Sequence, residues 1–288
     1  MKEQKSFQQT GGTLYLVPTP LGNLEDMTFR AVRLLQEVDF IAAEDTRQTR
    51  KLCSHFEIAT PLVSYHEHNK QQAGAALLQR MHDGLQVALV SDAGMPGISD
   101  PGEDLVRLCL EEDLKVISLP GANAALTALV ASGLPCDTFY FHGFLKRHKK
   151  IRQQQLETLS HLQQTLLFYE APHRLAETLR AMYDVFGDRR VVIARELTKK
   201  FEEYQRGTLA EALTWCDVGT VKGEFCIVVE GYTGEVKEDE SWWQSLTERQ
   251  HVDHYIMLGK PQKDALKQVA KDRALPKREV YQRYHNDK

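Results

Sequence analysis

A run rich in glycine, proline and aspartate follows an apolar segment in the first half of the chain. The apolar segment is residues 87–90, VALV, and the run is residues 91–102, SDAGMPGISDPG. Its glycines let a ligand approach the backbone closely, and its prolines hold the loop in shape before a ligand arrives. A tight structural turn is the alternative, but the run is longer than a turn needs. The pattern therefore predicts a binding loop at the carboxyl end of a strand, where open α/β sheets bind ligands.

Further loops and polar runs follow other apolar segments. The loops are residues 17–23, VPTPLGN, and 120–123, PGAN, and the polar runs are 43–47, 64–69 and 169–174. Because the carboxyl ends of parallel strands meet at one edge of a sheet, we expect these groups to line a common cleft. Solvent-facing loop polarity is the alternative, and it explains one such run more easily than three together.

Common cofactor and metal motifs are missing from the sequence. No two glycines lie two positions apart, so the dinucleotide loop G-x-G-x-x-G is excluded, and neither a phosphate-binding P-loop nor G-x-S-x-G nor H-E-x-x-H occurs. His66 and His68, or His251 and His254, could bind a metal, but no cysteine or carboxylate stands at zinc-site spacing, and we expect none. The cysteines are scattered, which predicts no disulfide framework: Cys53, Cys109, Cys136, Cys216 and Cys226.

The elements that must position these residues alternate between strand and helix. Strands are predicted at 14–17, 40–43, 87–90 and 116–119, with helices at 28–37 and 72–81, which is typical of a parallel sheet covered by helices. A second series begins near Phe139, with strands at 165–170, 190–196, 201–208 and 224–231 and helices at 123–131 and 176–186. Its last three strands follow closely, which favours a mixed sheet.

This layout predicts an α/β protein with two α/β domains and a small helical C-terminal appendage. We expect a flexible N-terminus at 1–12, domains at 13–120 and 121–232, and an acidic linker followed by a basic helical tail at 233–288. No apolar run approaches the roughly 20 residues that a membrane helix needs, and no signal-peptide pattern occurs, so we expect a cytoplasmic protein without membrane contact.

The charge is unevenly distributed, although its formal net value is only -4. From Lys260 onward, Lys and Arg outnumber Asp and Glu, and a second basic cluster occupies residues 146–152, KRHKKIR. Such blocks can bind an anionic partner such as nucleic acid, but they are also common on solvated surfaces.

Seven ordered motifs resemble one known family. They are LYLVPTPLGNLEDMT, AAEDTRQTRKL, SYHEHN, VSDAGMPGISDPG, PGANAALTALVASGLP, FYEAPHRL and RELTKKFEEYQRG. Together they are similar to the bacterial ribosomal small subunit methyltransferase I family, within the tetrapyrrole methylase superfamily. The resemblance runs from about Leu14 to the C-terminus. It implies two α/β domains with a cofactor cleft between them, a homodimer, and methyl transfer from S-adenosyl-L-methionine to a cytidine ribose 2'-hydroxyl in the decoding region of 16S rRNA.

Matching motifs assign roles to residues of this chain. The resemblance implies that the cofactor-binding residues are Pro18, Asp92, Gly94, Met95, Pro96, Asn123, Ala124, Tyr169, Ala194 and Glu224. A ribose hydroxyl is a weak nucleophile until a base takes its proton, and Glu44, His66 and Glu170 are candidate bases. Arg47 and Arg174 could bind phosphate or stabilise an alkoxide. Glu44, Arg47 and His66 are the leading catalytic candidates, although ion pairs that only organise the cleft wall stay an alternative.

The basic residues then become candidate RNA ligands, because contacts to phosphates supply much of the affinity for nucleic acid. The candidates are Lys146, Arg147, Lys149, Lys150, Arg174, Lys277 and Arg278. Two other functions stay open: a tetrapyrrole or corrin C-methyltransferase, which would need no phosphate contacts, and a non-catalytic RNA-binding assembly factor of the ribosome.

Overall fold

The computed structural model describes residues 3–6, 11–219, 221–234, 243 and 246–286. Contacts divide the chain into two compact units, Met1–Tyr232 and Thr233–Lys288. Most of the predicted flexible N-terminus and acidic linker, namely residues 1–2, 7–10, 235–242 and 244–245, lies outside the described residues. No helix in the described ranges is both long enough and apolar enough to span a membrane.

The first sheet of the larger unit is entirely parallel, as the alternating pattern predicted. Its strands are β1 Thr13–Leu16, β2 Phe40–Ala43, β3 Leu62–Ser64, β4 Gln86–Val90 and β5 Lys115–Ser118, in the order β3-β2-β4-β1-β5. Its helices are α1 Phe29–Glu37, α2 Thr46–His55, α3 Lys70–His82 and α4 Glu103–Glu111. The sequence pattern did not predict β3, which is a three-residue edge strand, or the helices α2 and α4.

Both faces of this sheet are covered because alternate strand residues point to opposite sides. Ala88 and Val90 of β4 join a cluster with α1, whereas Val87 and Leu89 pack with residues of α3 and α4. Side chains from Asp45 and Thr28 accept backbone hydrogen bonds at the N-termini of α2 and α1. Because the five strands are parallel, their carboxyl ends all lie at one edge of the sheet.

The second sheet is mixed, which confirms the prediction from the short connections. Its strands are β6 Phe139–Phe144, β7 Thr165–Glu170, β8 Arg190–Arg195, β9 Glu203–Thr208 and β10 Phe225–Val229, in the order β6-β7-β10-β8-β9. Only β6 and β7 pair in parallel; the other pairs are antiparallel. One face packs on α5 Ala124–Ser132, and the other packs on α6 Lys149–Leu159, α7 Leu175–Phe186 and α8 Leu209–Val218.

The smaller unit contains three helices among its described residues, where the sequence had indicated two. They are α9 Glu248–Met257, α10 Gln262–Asp272 and α11 Lys277–Asn286. Their core consists of Val252, Ala265, Leu266, Val269, Ala270 and Val280. His251 is fully buried here against the ring of Trp243, and Arg273 Nε donates to its Nδ1 at 3.2 Å.

Candidate active site

The loops after β1 and β4 are bonded to each other. Thr19 and Gly94 exchange two backbone hydrogen bonds of 2.9 Å, and the Thr19 hydroxyl donates to the Ser91 carbonyl at 3.0 Å. Gly94 and Gly97 have φ of 83° and 84°, a backbone conformation that disfavours other residues. The glycine-proline loop predicted from the sequence is therefore held in one shape by the loop after β1.

A third loop joins these two through a close contact between Pro18 and Gly121. A Cβ on Gly121 would lie 2.7 Å from the Pro18 Cβ, so only glycine permits this approach. Pro18 and Pro96 are both buried. Within the described ranges, neither proline lines the cavity that opens beside these loops, so both act by shaping the loops.

A cavity of about 390 Å³ opens where these loops meet the second sheet, a size typical of small-molecule sites. Tyr169 closes one side, and its hydroxyl accepts a hydrogen bond from the Ala125 backbone N–H at 3.1 Å. Eight of the ten residues expected to bind the cofactor line it: Asp92, Gly94, Met95, Asn123, Ala124, Tyr169, Ala194 and Glu224. Apolar Leu21, Ile98, Leu197 and Cys226 complete much of the wall.

Carboxyl groups cluster at the ends of β2 and β4, beside this cavity. Burial raises the pKa of Glu44, and the charge of Asp92 raises it further. The pKa of Asp92 is raised mainly by burial, although the Asp45 N–H donates to its Oδ1 at 3.1 Å. Carboxyl groups with raised pKa values in a cleft are a recurrent feature of functional sites, because they can take up and release protons nearer to neutral pH.

Asp100 belongs to the same cluster and was not identified from the sequence. It lines the cavity, and burial followed by the charges of Glu44 and Asp92 raises its pKa to about 7. A carboxyl group with that pKa can accept a proton at neutral pH. Its sequence context, SDPG, indicates only a turn; tertiary packing is what buries it.

The three leading catalytic candidates lie near the cavity but do not form its wall within the described residues. Glu44 and His66 are close enough for the charge of His66 to lower the pKa of Glu44. The Nδ1 of His66 is buried with no hydrogen-bond partner in the described part of the chain. Arg47 instead projects into solvent and makes two hydrogen bonds to Asp45, which hold the pKa of Asp45 at about 2.

The basic cluster divides into exposed and buried members. Residues 146–150, the basic segment, are exposed, and Lys149 and Lys150 begin α6, whose first turn has no acidic residue. In the described ranges, none of Lys146, Arg147, Lys149 and Lys150 forms an ion pair. Cations at a helix N-terminus are electrostatically unfavourable, so a bound anion would stabilise this end. Arg152 is different: it is 1% exposed and pairs with Glu177 at 2.5 Å.

Arg174 and Glu170, candidates for RNA contact and for catalysis, instead bond within the fold. Arg174 donates to the Leu145 carbonyl at 2.7 Å and lies 3.4 Å from Glu170. The buried Glu170 carboxylate accepts from the Thr178 hydroxyl at 2.6 Å and from a backbone N–H. These bonds occupy both groups, because a buried charge requires internal partners. Lys277 and Arg278 are exposed in the first turn of α11 in the smaller unit.

Comparisons with known proteins extend these observations. A family model described as "Tetrapyrrole (Corrin/Porphyrin) Methylases" matches residues 13–213. The chain is 58% identical to "Ribosomal RNA small subunit methyltransferase I" of Halalkalibacterium halodurans over 100% of both chains. It is 55% identical to the protein of the same name from Bacillus subtilis over 99% of both chains. A solved structure of "Uroporphyrin-III C-methyl transferase" from Thermus thermophilus, complexed with S-adenyl homocysteine, aligns with a TM-score of 0.53 and 20% identity, covering 75% of this chain and 97% of that one.

Proposed function

The chain belongs to the tetrapyrrole (corrin/porphyrin) methylase family, and from this premise we propose that it methylates small-subunit ribosomal RNA with S-adenosyl-L-methionine. Full-length identity of 58% to a relative named as a small-subunit rRNA methyltransferase is the observation that carries this proposal. The finer assignment is the 2'-hydroxyl of a cytidine in the decoding region of 16S rRNA. The resemblance of the sequence motifs implies it, and it is part of the proposal.

The cavity at the edge of the first sheet is the proposed cofactor site. Its lining suits a nucleoside with a short polar chain, because it combines small and apolar side chains with the polar residues Asp92, Asn123 and Glu224. Tyr169 holds the first turn of α5 against the cavity through its bond to Ala125. When bound, S-adenosyl-L-methionine supplies a methyl group from its sulfonium, and the sulfur is left as a neutral thioether once an oxygen takes that methyl group.

The proposed roles of the carboxyl cluster concern the proton of the ribose hydroxyl. Methylation of that oxygen releases one proton, and a carboxylate within reach can take it up. Asp100 is the best candidate on geometry, because it lines the cavity and its pKa of about 7 leaves it partly ionised at neutral pH. Glu44, beside it, raises that pKa through its charge. His66 lies close enough to Glu44 to lower the pKa of that carboxyl group and would favour its ionised form.

The proposed RNA-binding residues are the exposed cations of the basic segment, together with Lys277 and Arg278 of α11. Bound phosphates would offset the unfavourable interaction between these cations and the positive end of the α6 dipole. Selection of the base would then depend on the cleft. A cytidine in folded RNA must leave its stack before its ribose reaches a buried methyl donor. A tetrapyrrole substrate would not account for cations placed outside the cleft, and this favours the RNA reading over a C-methyltransferase.

We also propose a homodimer that works in the cytoplasm, where ribosomal subunits are assembled. Exposed apolar side chains on α5 and β6 support the dimer, because large apolar groups on a surface commonly mark an interface. Val130 is 74% exposed and Phe139 is 42% exposed. Sedimentation of the wild type and of Val130→Asp would test this surface; a monomeric wild-type protein would exclude the dimer.

Two measurements together test the proposed function. Titration with S-adenosyl-L-homocysteine should give one site per chain in the wild type, with weaker binding for Tyr169→Phe. Incubation with labelled cofactor should label small subunits from a strain that lacks this modification, and large subunits should stay unlabelled. Cofactor binding without RNA labelling would instead support the C-methyltransferase, and no cofactor binding would exclude both enzymes.

A further inference from the structure

A second cavity of about 400 Å³ adjoins the proposed cofactor cavity. The two share wall residues from the loop after β1, from the carboxyl end of β4 and from the position before β10: Leu21, Asp92, Ala93 and Glu224. A group-transfer enzyme needs two sites with a common boundary, so that the acceptor atom reaches the donor without either molecule leaving its site. The position of the second cavity meets this requirement.

Six of the ten residues that line only the second cavity are polar. Its outer wall is α2, which contributes Gln48, Thr49, Lys51 and Leu52. The hydroxyls of Thr19 and Thr49 are occupied by backbone carbonyls. Gln48 and Lys51 are exposed, and their contact is a bond of 3.1 Å from Lys51 Nζ to Gln48 Oε1. These two side chains therefore have donor groups available to a ligand.

The two lysines of this cavity differ in what surrounds them. Lys199 Nζ lies 3.1 Å from Glu196 and 2.9 Å from Glu224, so its charge is neutralised by the wall itself. Lys51 has no carboxylate partner among the described residues, and α2 contains three cations, Arg47, Arg50 and Lys51, but no acidic residue. The other carboxyl group of the lining, Asp92, lies on the wall shared with the cofactor cavity, so an anionic group is favoured at the outer wall, beside Lys51.

We propose that the second cavity holds the target nucleotide, with Lys51 contacting a phosphate next to the ribose and Gln48 donating to the pyrimidine. The occupant is a phosphorylated pyrimidine ribonucleoside within the RNA. This assignment rests on the proposed function, since an RNA acceptor is what requires such a site. It places the ribose at the wall that Asp92 shares with the cofactor cavity, close to the carboxyl cluster.

The test is a titration with two small probes, cytidine and cytidine monophosphate, in the presence of S-adenosyl-L-homocysteine. Lys51→Ala should weaken the binding of the monophosphate about tenfold, the usual size for a lost charge-assisted hydrogen bond, and leave that of cytidine unchanged. Gln48→Ala should weaken both probes. Arg50→Ala is the matched control, because it removes an exposed cation of the same helix that does not line the cavity, and it should change neither.

Kinetics on small subunits separate this inference from the proposed function. Lys51→Ala should raise the KM for the subunit and leave the affinity for S-adenosyl-L-homocysteine unchanged. If the wild type methylates small subunits while Lys51→Ala and Arg50→Ala behave alike with both probes, the nucleotide site is wrong and the function stands. If the wild type methylates no RNA, the proposed function is wrong, and selective loss of monophosphate binding in Lys51→Ala would still identify the cavity as a nucleotide site.

Discussion

Replacing Asp100 with asparagine should stabilise the protein, and more so at high pH. The carboxyl group has an ordinary pKa of 3.8 in the unfolded chain and about 7 in the fold. The folded state therefore binds the proton more tightly, and stability is lost as pH rises from about 4 to about 7. Asparagine has nearly the same size but no proton to lose, so Asp100→Asn escapes this penalty.

The size of the effect follows from the two pKa values. One pKa unit corresponds to about 1.4 kcal/mol, so the full penalty above pH 7 is at most about 4 kcal/mol. Asp100 is only partly buried and faces an open cleft, and solvent screening reduces this to about 2 kcal/mol. Relative to the wild type, Asp100→Asn should then gain about 1 kcal/mol at pH 5 and about 2 kcal/mol at pH 8.

Urea unfolding followed by circular dichroism at pH 5, 6, 7 and 8 measures this difference. Asp137→Asn is the control, because Asp137 is exposed and its replacement should leave the pH dependence as in the wild type. A stability difference between Asp100→Asn and the wild type that is constant across these pH values would contradict a raised pKa of Asp100 in the fold. It would mean that the Asp100 carboxylate is as well solvated in the fold as in the unfolded chain.

Three further substitutions test other parts of the account. Gly121→Ala should lower the free energy of unfolding, measured in urea, by about 1–3 kcal/mol and weaken cofactor binding, because its Cβ would overlap Pro18. The control is Gly74→Ala, whose Cβ would have no contact closer than 3.8 Å and which should be neutral or stabilising. Reversing the charges of the three lysines in the basic segment should weaken RNA binding and flatten its salt dependence, with cofactor affinity unchanged. Arg152→Met should leave RNA affinity unchanged and stability within about 1 kcal/mol in the same assays, because the arginine is buried and Glu177 stays solvated.

The sequence predicted the elements that carry strong local signals. Buried strands of the first sheet are continuous apolar runs, and glycine-proline loops follow them, so both the parallel sheet and its ligand-binding edge could be inferred. The elements that escaped detection have weaker patterns. β3 has two half-buried residues and one exposed residue, and α2 buries only Thr49, Leu52 and Cys53 among polar neighbours.

The details of the site depend on tertiary contacts that a linear pattern does not encode. Arg152 and Lys150 belong to the same basic run of the sequence. Arg152 is nevertheless buried and pairs with Glu177 of α7, whereas Lys150 is exposed. Arg174 follows a strand like the other cleft residues, but it turns inward to Leu145. Asp100 acquires its raised pKa first from burial and then from the charges of Glu44 and Asp92. Glu44 is remote in sequence, and it lies near this loop only because β2 and β4 are neighbours.

The most direct test of the central claim is nucleoside analysis of small-subunit RNA after incubation with the wild-type protein and methyl-labelled S-adenosyl-L-methionine. Subunits from a strain without this modification provide the acceptor. The account predicts label in a single nucleoside, a cytidine methylated on its ribose 2'-oxygen. Label on a base, or bound cofactor with no label in RNA, would contradict it.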